Sequence, residues 1–193
     1  MMRSLRLSQN LWWTAKQIPV HRASSFRKYK SVMLCIAVLF LSFSPSKISP
    51  RLKQKLNSAV QTTFTVEVFQ LEIIQADLGT DMLYKINQED ELLGYAYLGE
   101  APSMKDVFDY VVLFNPDLSI KKSKVLIYRE NHGRQIGSQR WLKQFIGKGL
   151  GDTLEYGEDI DAISGATISA KSMTKAVEKT LEHLAVLKKE KVL

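Results

Sequence analysis

The seven residues Asp161-Ala162-Ile163-Ser164-Gly165-Ala166-Thr167 end on a hydroxyl, that of Thr167, preceded by two of the smallest side chains. Gly165 and Ala166 leave the backbone open to approach, and Gly165 is free of the Cβ that restricts φ. A hydroxyl reached across small residues is suited to accept a group carried in by another enzyme. The bland alternative is an ordinary helix start, where Ser, Gly and Thr are all common.

Competing chemistries are weaker. Ser172-Met173-Thr174-Lys175 matches the S-x-x-K pattern of acyl-enzyme hydrolases, but so do Ser44–Lys47 and Ser119–Lys122. The partner motifs S-D-N and K-T-G are absent, as is a G-x-S-x-G elbow. Gly147-Lys148-Gly149-Leu150-Gly151 lacks the spacing of a phosphate loop and reads as a hinge. His21, His132 and His183 are far apart in sequence, which argues against a histidine-rich metal centre. The single cysteine, Cys35, excludes an internal disulfide, a four-cysteine zinc site and a cysteine-ligated cluster. No catalytic residue and no metal ligand is assigned.

The elements around the heptapeptide read as α+β. Strands are expected at Met82–Asn87, Leu92–Leu98, Val107–Phe114 and Ser123–Tyr128, with turns at Gln88-Glu89-Asp90 and Asn115-Pro116-Asp117. Connections this short favour antiparallel neighbours. Phe64 to Ile74 is ambiguous, because its alternation breaks at Phe69. Arg51 to Thr62 carries a helical stripe and reads as a surface helix or a linker. A short helix is expected over 139–146, capped by Ser138, with Trp141 and Phe145 in the core. A long helix is expected from Ser169 to about Lys188, with Met173, Val177, Leu181 and Leu184 on one face. The expected fold is thus an antiparallel sheet of four to five strands, with a C-terminal helix and one or two further helices packed on it.

Charge divides the chain. Residues 1–66 hold eleven basic residues and no acid, and the remainder holds 16 basic and 20 acidic residues. The basic excess therefore lies outside the expected domain, which would repel phosphates, so nucleic acid is not an expected partner. Within the leader, Arg27, Lys28 and Lys30 precede the apolar run Val32–Phe43. Twelve residues fall short of a bilayer span and fit the apolar region of a signal peptide; an uncleaved anchor is the competing reading. The expected organisation is a basic leader with signal peptide or anchor over 1–46, a linker or amphipathic helix over 47–66, and a domain over 67–193. Export to the extracytoplasmic side follows from that leader.

The heptapeptide resembles the flavinylation motif D-x-x-[ST]-G-A-T of FMN-binding domains. These occur in one component of the sodium-translocating NADH:quinone oxidoreductase and in one component of the related Rnf electron-transport complex. Five constrained positions in seven would match by chance in roughly one chain of this size in a few thousand. Leu93-Gly94-Tyr95-Ala96-Tyr97 is similar to the family's G-Y-x-Y strand. Glu130-Asn131-His132-Gly133-Arg134-Gln135-Ile136-Gly137 stands where many members carry E-T-P-G-L-G, and Trp141–Phe145 is similar to the helix that follows. The likeness covers about residues 80–185.

It implies FMN esterified through its phosphate to Thr167 by a dedicated flavin transferase that takes FMN from FAD. Gly165 and Ala166 would give the transferase access, and Asp161 and Ser164 would be recognition residues or braces of the loop. Glu130 and Gly133 would border the cofactor. A phosphate placed just before the helix would meet free N–H groups and a positive dipole end. The implied role is electron transfer with a membrane redox partner or quinone-linked complex, or that of a noncatalytic accessory protein within one. Asn131-His132 and Arg134-Gln135 depart from the family loop, so the flavin's surroundings and its redox partner are expected to differ.

Overall fold

Short connections between apolar segments produce a meander. A computed structural model describes residues 48–193; the leader and its apolar run lie outside them. The strands are β1 (Gln70–Ile74), β2 (Met82–Gln88), β3 (Glu91–Pro102), β4 (Val107–Phe114) and β5 (Ile120–Ile127). They form one sheet in the order β1-β2-β3-β4-β5, every neighbouring pair antiparallel. All four expected strands are present within this α+β fold. The ambiguous segment contributes a fifth, β1, at the edge of the sheet.

Side chains alternate across a strand, and here both faces are covered. Along β4, Phe108, Tyr110, Val112 and Phe114 enter one core, and Val111 and Leu113 enter a second on the opposite face. The first core is closed by the long helix α3 (Thr167–Lys189), which buries Met173, Val177, Leu181 and Leu184. A 3-10 turn at Arg134–Gly137, helix α2 (Gln139–Leu142) and a 3-10 turn at Lys143–Phe145 add Ile136, Trp141, Leu142 and Phe145.

The second core is closed by helix α1 (Pro50–Phe64). Ser49 caps it, its Oγ accepting from the Leu52 N–H at 3.2 Å, and Pro50 sits where a missing N–H costs nothing. The stripe Leu52, Leu56, Ala59 and Val60 packs on Ile86, Ala96, Leu98, Val111, Leu113 and Leu126. Residues 48–193 form a compact unit of their own, with a core on each side of the sheet.

A polar knot ties α3 to the sheet. The Tyr97 hydroxyl donates to Asp81 Oδ2 at 2.8 Å, so it accepts from His183 Nδ1, 2.7 Å away. Lys179 Nζ lies 3.6 Å from the same carboxylate oxygen. Burial, and then the Lys179 charge, hold His183 below its ordinary value. Burial pushes the Tyr97 and Tyr110 phenols well above theirs. Gly99 makes room for this knot, since a Cβ there would lie 2.6 Å from the Tyr110 hydroxyl.

If α1 completes the second core, Leu56→Ala should cost about 2–5 kcal/mol, because Leu56 is fully buried and its removal leaves a cavity. Urea unfolding of residues 48–193 measures this. A cost below about 1 kcal/mol would mean that α1 merely rests on the sheet.

Candidate functional site

Thr167 is the first residue of α3, two positions earlier than the helix expected from Ser169. Ala166, at φ −141, precedes the helix and supplies no side-chain cap, and the first turn carries no acid. Ala170 is the first residue whose N–H closes a bond onto the 166–167 turn, donating to Ala166 O at 2.8 Å. Ahead of it, the amides of Thr167, Ile168 and Ser169 have no backbone acceptor among the described residues. Thr167 is exposed. An uncapped helix start beside a free-standing hydroxyl is chemically suited to a phosphate group.

The loop that delivers Thr167 depends on two glycines. Gly165 has φ +77 and Gly133 has φ +78, both in the left-handed region that favours glycine. A Cβ on Gly133 would lie 2.6 Å from the Tyr128 hydroxyl and 3.6 Å from the Gly165 carbonyl oxygen. Bare backbone at 133 therefore lets the loop after β5 approach the one before α3. Tyr128 joins the two by a 2.9 Å hydrogen bond with Ser169 Oγ. A Cβ on Gly165 would meet only the end of the Gln135 side chain, at 3.2 Å.

Five of the seven residues singled out in the sequence border one cleft of about 200 Å³: Glu130, Gly133, Gly165, Ala166 and Thr167. The volume is below that of typical enclosed ligand sites, so a cofactor larger than the cleft would remain partly in solvent. His132 also lines it. Asp161 and Ser164 lie outside the lining. The backbone of Asp161 braces the loop: its N–H donates to Gln144 Oε1 at 2.8 Å, and its carbonyl accepts from Trp141 Nε1 at 2.7 Å. Trp141 is buried edge-to-face on Phe145, with ring centroids 5.4 Å apart, and so belongs to the core as its spacing suggests.

Glu130 has a structural task as well. Its Oε1 accepts from Ser103 Oγ, from the Lys105 N–H at 2.7 Å and from the Asp106 N–H at 3.3 Å. The Ser103 bond, and then the Lys105 amide, hold its carboxyl below the ordinary value. The β3–β4 turn is thereby fastened to the cleft, and Met104 of that turn forms part of the lining. Met104, Tyr128, Ile168 and Ser169 are lining residues that sequence reasoning missed. No motif marks them; they arrive through the turn, the end of β5 and the first turn of α3.

A larger open groove, about 720 Å³, runs between residues 153–156 and α3 and does not include Thr167. Ser172 and Lys175 stand on its wall. No hydrogen bond joins them among the described residues, so the S-x-x-K pattern has no assembled nucleophile here.

A family model described as FMN-binding domain matches residues 82–182. No curated protein matches the chain. The matched residues include the cleft with Thr167 and all but the first part of the sheet.

Gly133→Ala should destabilise the domain by about 1–3 kcal/mol, because it combines a left-handed φ with a collision at the Tyr128 hydroxyl. Gly137→Ala, with nothing within 4 Å of the added carbon, should be nearly neutral. Equal urea midpoints for the two variants would refute the close-approach account.

Proposed function

This chain belongs to the FMN-binding domain family, and on that premise we propose that it carries FMN covalently on Thr167 as an electron-transfer protein outside the cytoplasm. One observation carries the attachment reading: an exposed threonine hydroxyl at the uncapped start of a 23-residue helix, on a loop shaped by two left-handed glycines, Gly133 and Gly165.

The chain's own residues fit the group. The N–H groups of the first helical turn would receive the phosphate, and the helix dipole would favour its charge. Tyr128 fixes that turn against the loop after β5 through Ser169. Glu130 holds the β3–β4 turn at the edge of the cleft. Attachment would form a bond from Thr167 Oγ1 to phosphorus and break the pyrophosphate link of FAD, with AMP leaving and the hydroxyl proton lost. A flavin transferase would supply that chemistry. FMN itself, once bound, takes up and releases electrons, and the protein contributes attachment, exposure and local electrostatics. A membrane redox protein or quinone-linked complex is the proposed partner.

The leader supports the location. Basic residues ahead of the Val32–Phe43 run match an export signal or anchor. A covalent link also suits that side of the membrane, where FMN lost by dissociation is not readily replaced.

Co-expression with a flavin transferase should raise the intact mass by one FMN less one water. Thr167→Ala should abolish the gain, and Thr167→Ser should retain part of it. An unchanged adduct on the alanine variant would sink the assignment.

Location has its own test. Replacing Leu39 and Leu41 by Arg should leave the product in the cytoplasm, since a charge in such a run opposes insertion by a few kcal/mol. Normal export of that double variant, followed by cell fractionation, would count against the leader reading.

A further inference from the structure

The charge of the described domain is unevenly placed. Residues 48–193 contain 19 basic and 20 acidic residues. Six of the cations belong to two elements that hold no acid at all: Arg51, Lys53 and Lys55 on α1, and Lys121, Lys122 and Lys124 on β5. The rest of the domain is left with 13 basic against 20 acidic residues.

Four of the six converge. Arg51 and Lys55 are one helical turn apart and share a side of α1. Lys122 and Lys124 share a strand face, opposite Leu113 and Val111, the residues that α1 covers. The Lys122 and Lys55 charges act on Lys124, which burial first and these two neighbours next hold below its ordinary value. The ion pairs among the described residues are Arg129–Asp109 and Lys179–Asp81, so none of the four is neutralised within the domain. Lysines on an edge strand also deter strand pairing, but that does not account for Arg51 and Lys55 on the helix.

The occupant is argued from the chain itself. The apolar run ends at Phe43 and α1 starts at Pro50. Even fully extended, that stretch reaches only about 25 Å. Retained as an anchor, that run would keep the α1–β5 face within reach of a lipid surface. Thr167 begins the helix that covers the opposite face of the sheet.

We propose that the face formed by Arg51, Lys55, Lys122 and Lys124 lies on anionic phospholipid headgroups, leaving the cleft at Thr167 on the side of the domain away from the bilayer. The choice of a membrane over an acidic protein rests on the leader reading given above. Its test does not, because residues 48–193 form their own compact unit and can be examined without the leader.

The experiment is co-sedimentation of residues 48–193 with vesicles of phosphatidylcholine alone and of equal parts phosphatidylcholine and phosphatidylglycerol. At about 0.1 M salt, where screening extends about 10 Å, the protein should bind the mixed vesicles and not the neutral ones, and about 1 M salt should release it. Lys122→Glu with Lys124→Glu should cut the bound fraction about tenfold or more. Arg51→Glu with Lys55→Glu, at exposed helix positions, should do the same and guards against a folding defect in the strand variant. Lys171→Glu with Lys175→Glu makes the same change in net charge on α3 and should leave binding unchanged. Absence of binding to the mixed vesicles overturns the proposal, as would equal losses in all three variants or retention that depends on an added acidic protein. None of these outcomes bears on whether Leu39 and Leu41 direct export.

Discussion

Everything in this domain follows from burying both faces of one strand. From Phe108 to Phe114 every residue of β4 is buried. A strand with two apolar faces needs a layer on each side, because side chains alternate between them. The aromatic face, Phe108, Tyr110 and Phe114, is met by α3, and the smaller Val111 and Leu113 face is met by α1. With α3 fixed over one face, its start is fixed at one rim of the sheet, and the hydroxyl of Thr167 is delivered there. The position of Thr167 is thus a consequence of packing several turns away.

The rim itself is assembled from three connections that have little in common in sequence. The turn after β3 is held by the Glu130 carboxylate. The loop after β5 comes close because Gly133 has no side chain, and the Tyr128 phenol occupies the space that a Cβ would need. The loop before α3 is anchored from behind, through the Asp161 backbone to Trp141 and Gln144. The result leaves the amides at the start of α3 uncovered, which a conventional Ser or Asp cap would have prevented.

Legibility in the sequence tracked how locally each feature is determined. β4 was readable to its ends, because an apolar run between turn residues is a local signal. The segment 64–74 was not, because its residues divide between the end of a helix, an irregular link and an edge strand of five residues. The stripe on α1 was visible, yet nothing in it says which surface it covers; that depends on Ile86, Leu98 and Leu126 being brought together by the sheet. The start of α3 lies earlier than its sequence suggests, because Ile168 and Ser169 carry no strong signal and the boundary follows the turn at Gly165. Glu130 and Gly133 were found by likeness to a family loop. Tyr128 and Met104 could not be, since their place in the cleft is purely three-dimensional. The leader, and with it location and partners, is a matter of composition and lies outside the described residues.

The meander has a consequence for the order in which the chain takes shape. Each strand lies next to its predecessor, so the sheet can grow by local pairing as successive residues become available. α1 cannot join until late. Its stripe has only part of its seat, Ile86, Ala96 and Leu98, before β4 and β5 exist, because Val111, Leu113 and Leu126 complete it. A chain released from its amino end onward therefore carries a helix whose apolar stripe is not fully covered until some sixty residues, from Phe64 to Ile127, have followed. During that interval Leu52, Leu56 and Val60 are open to a chaperone, and the first helix of the described residues becomes one of the last parts to find its place.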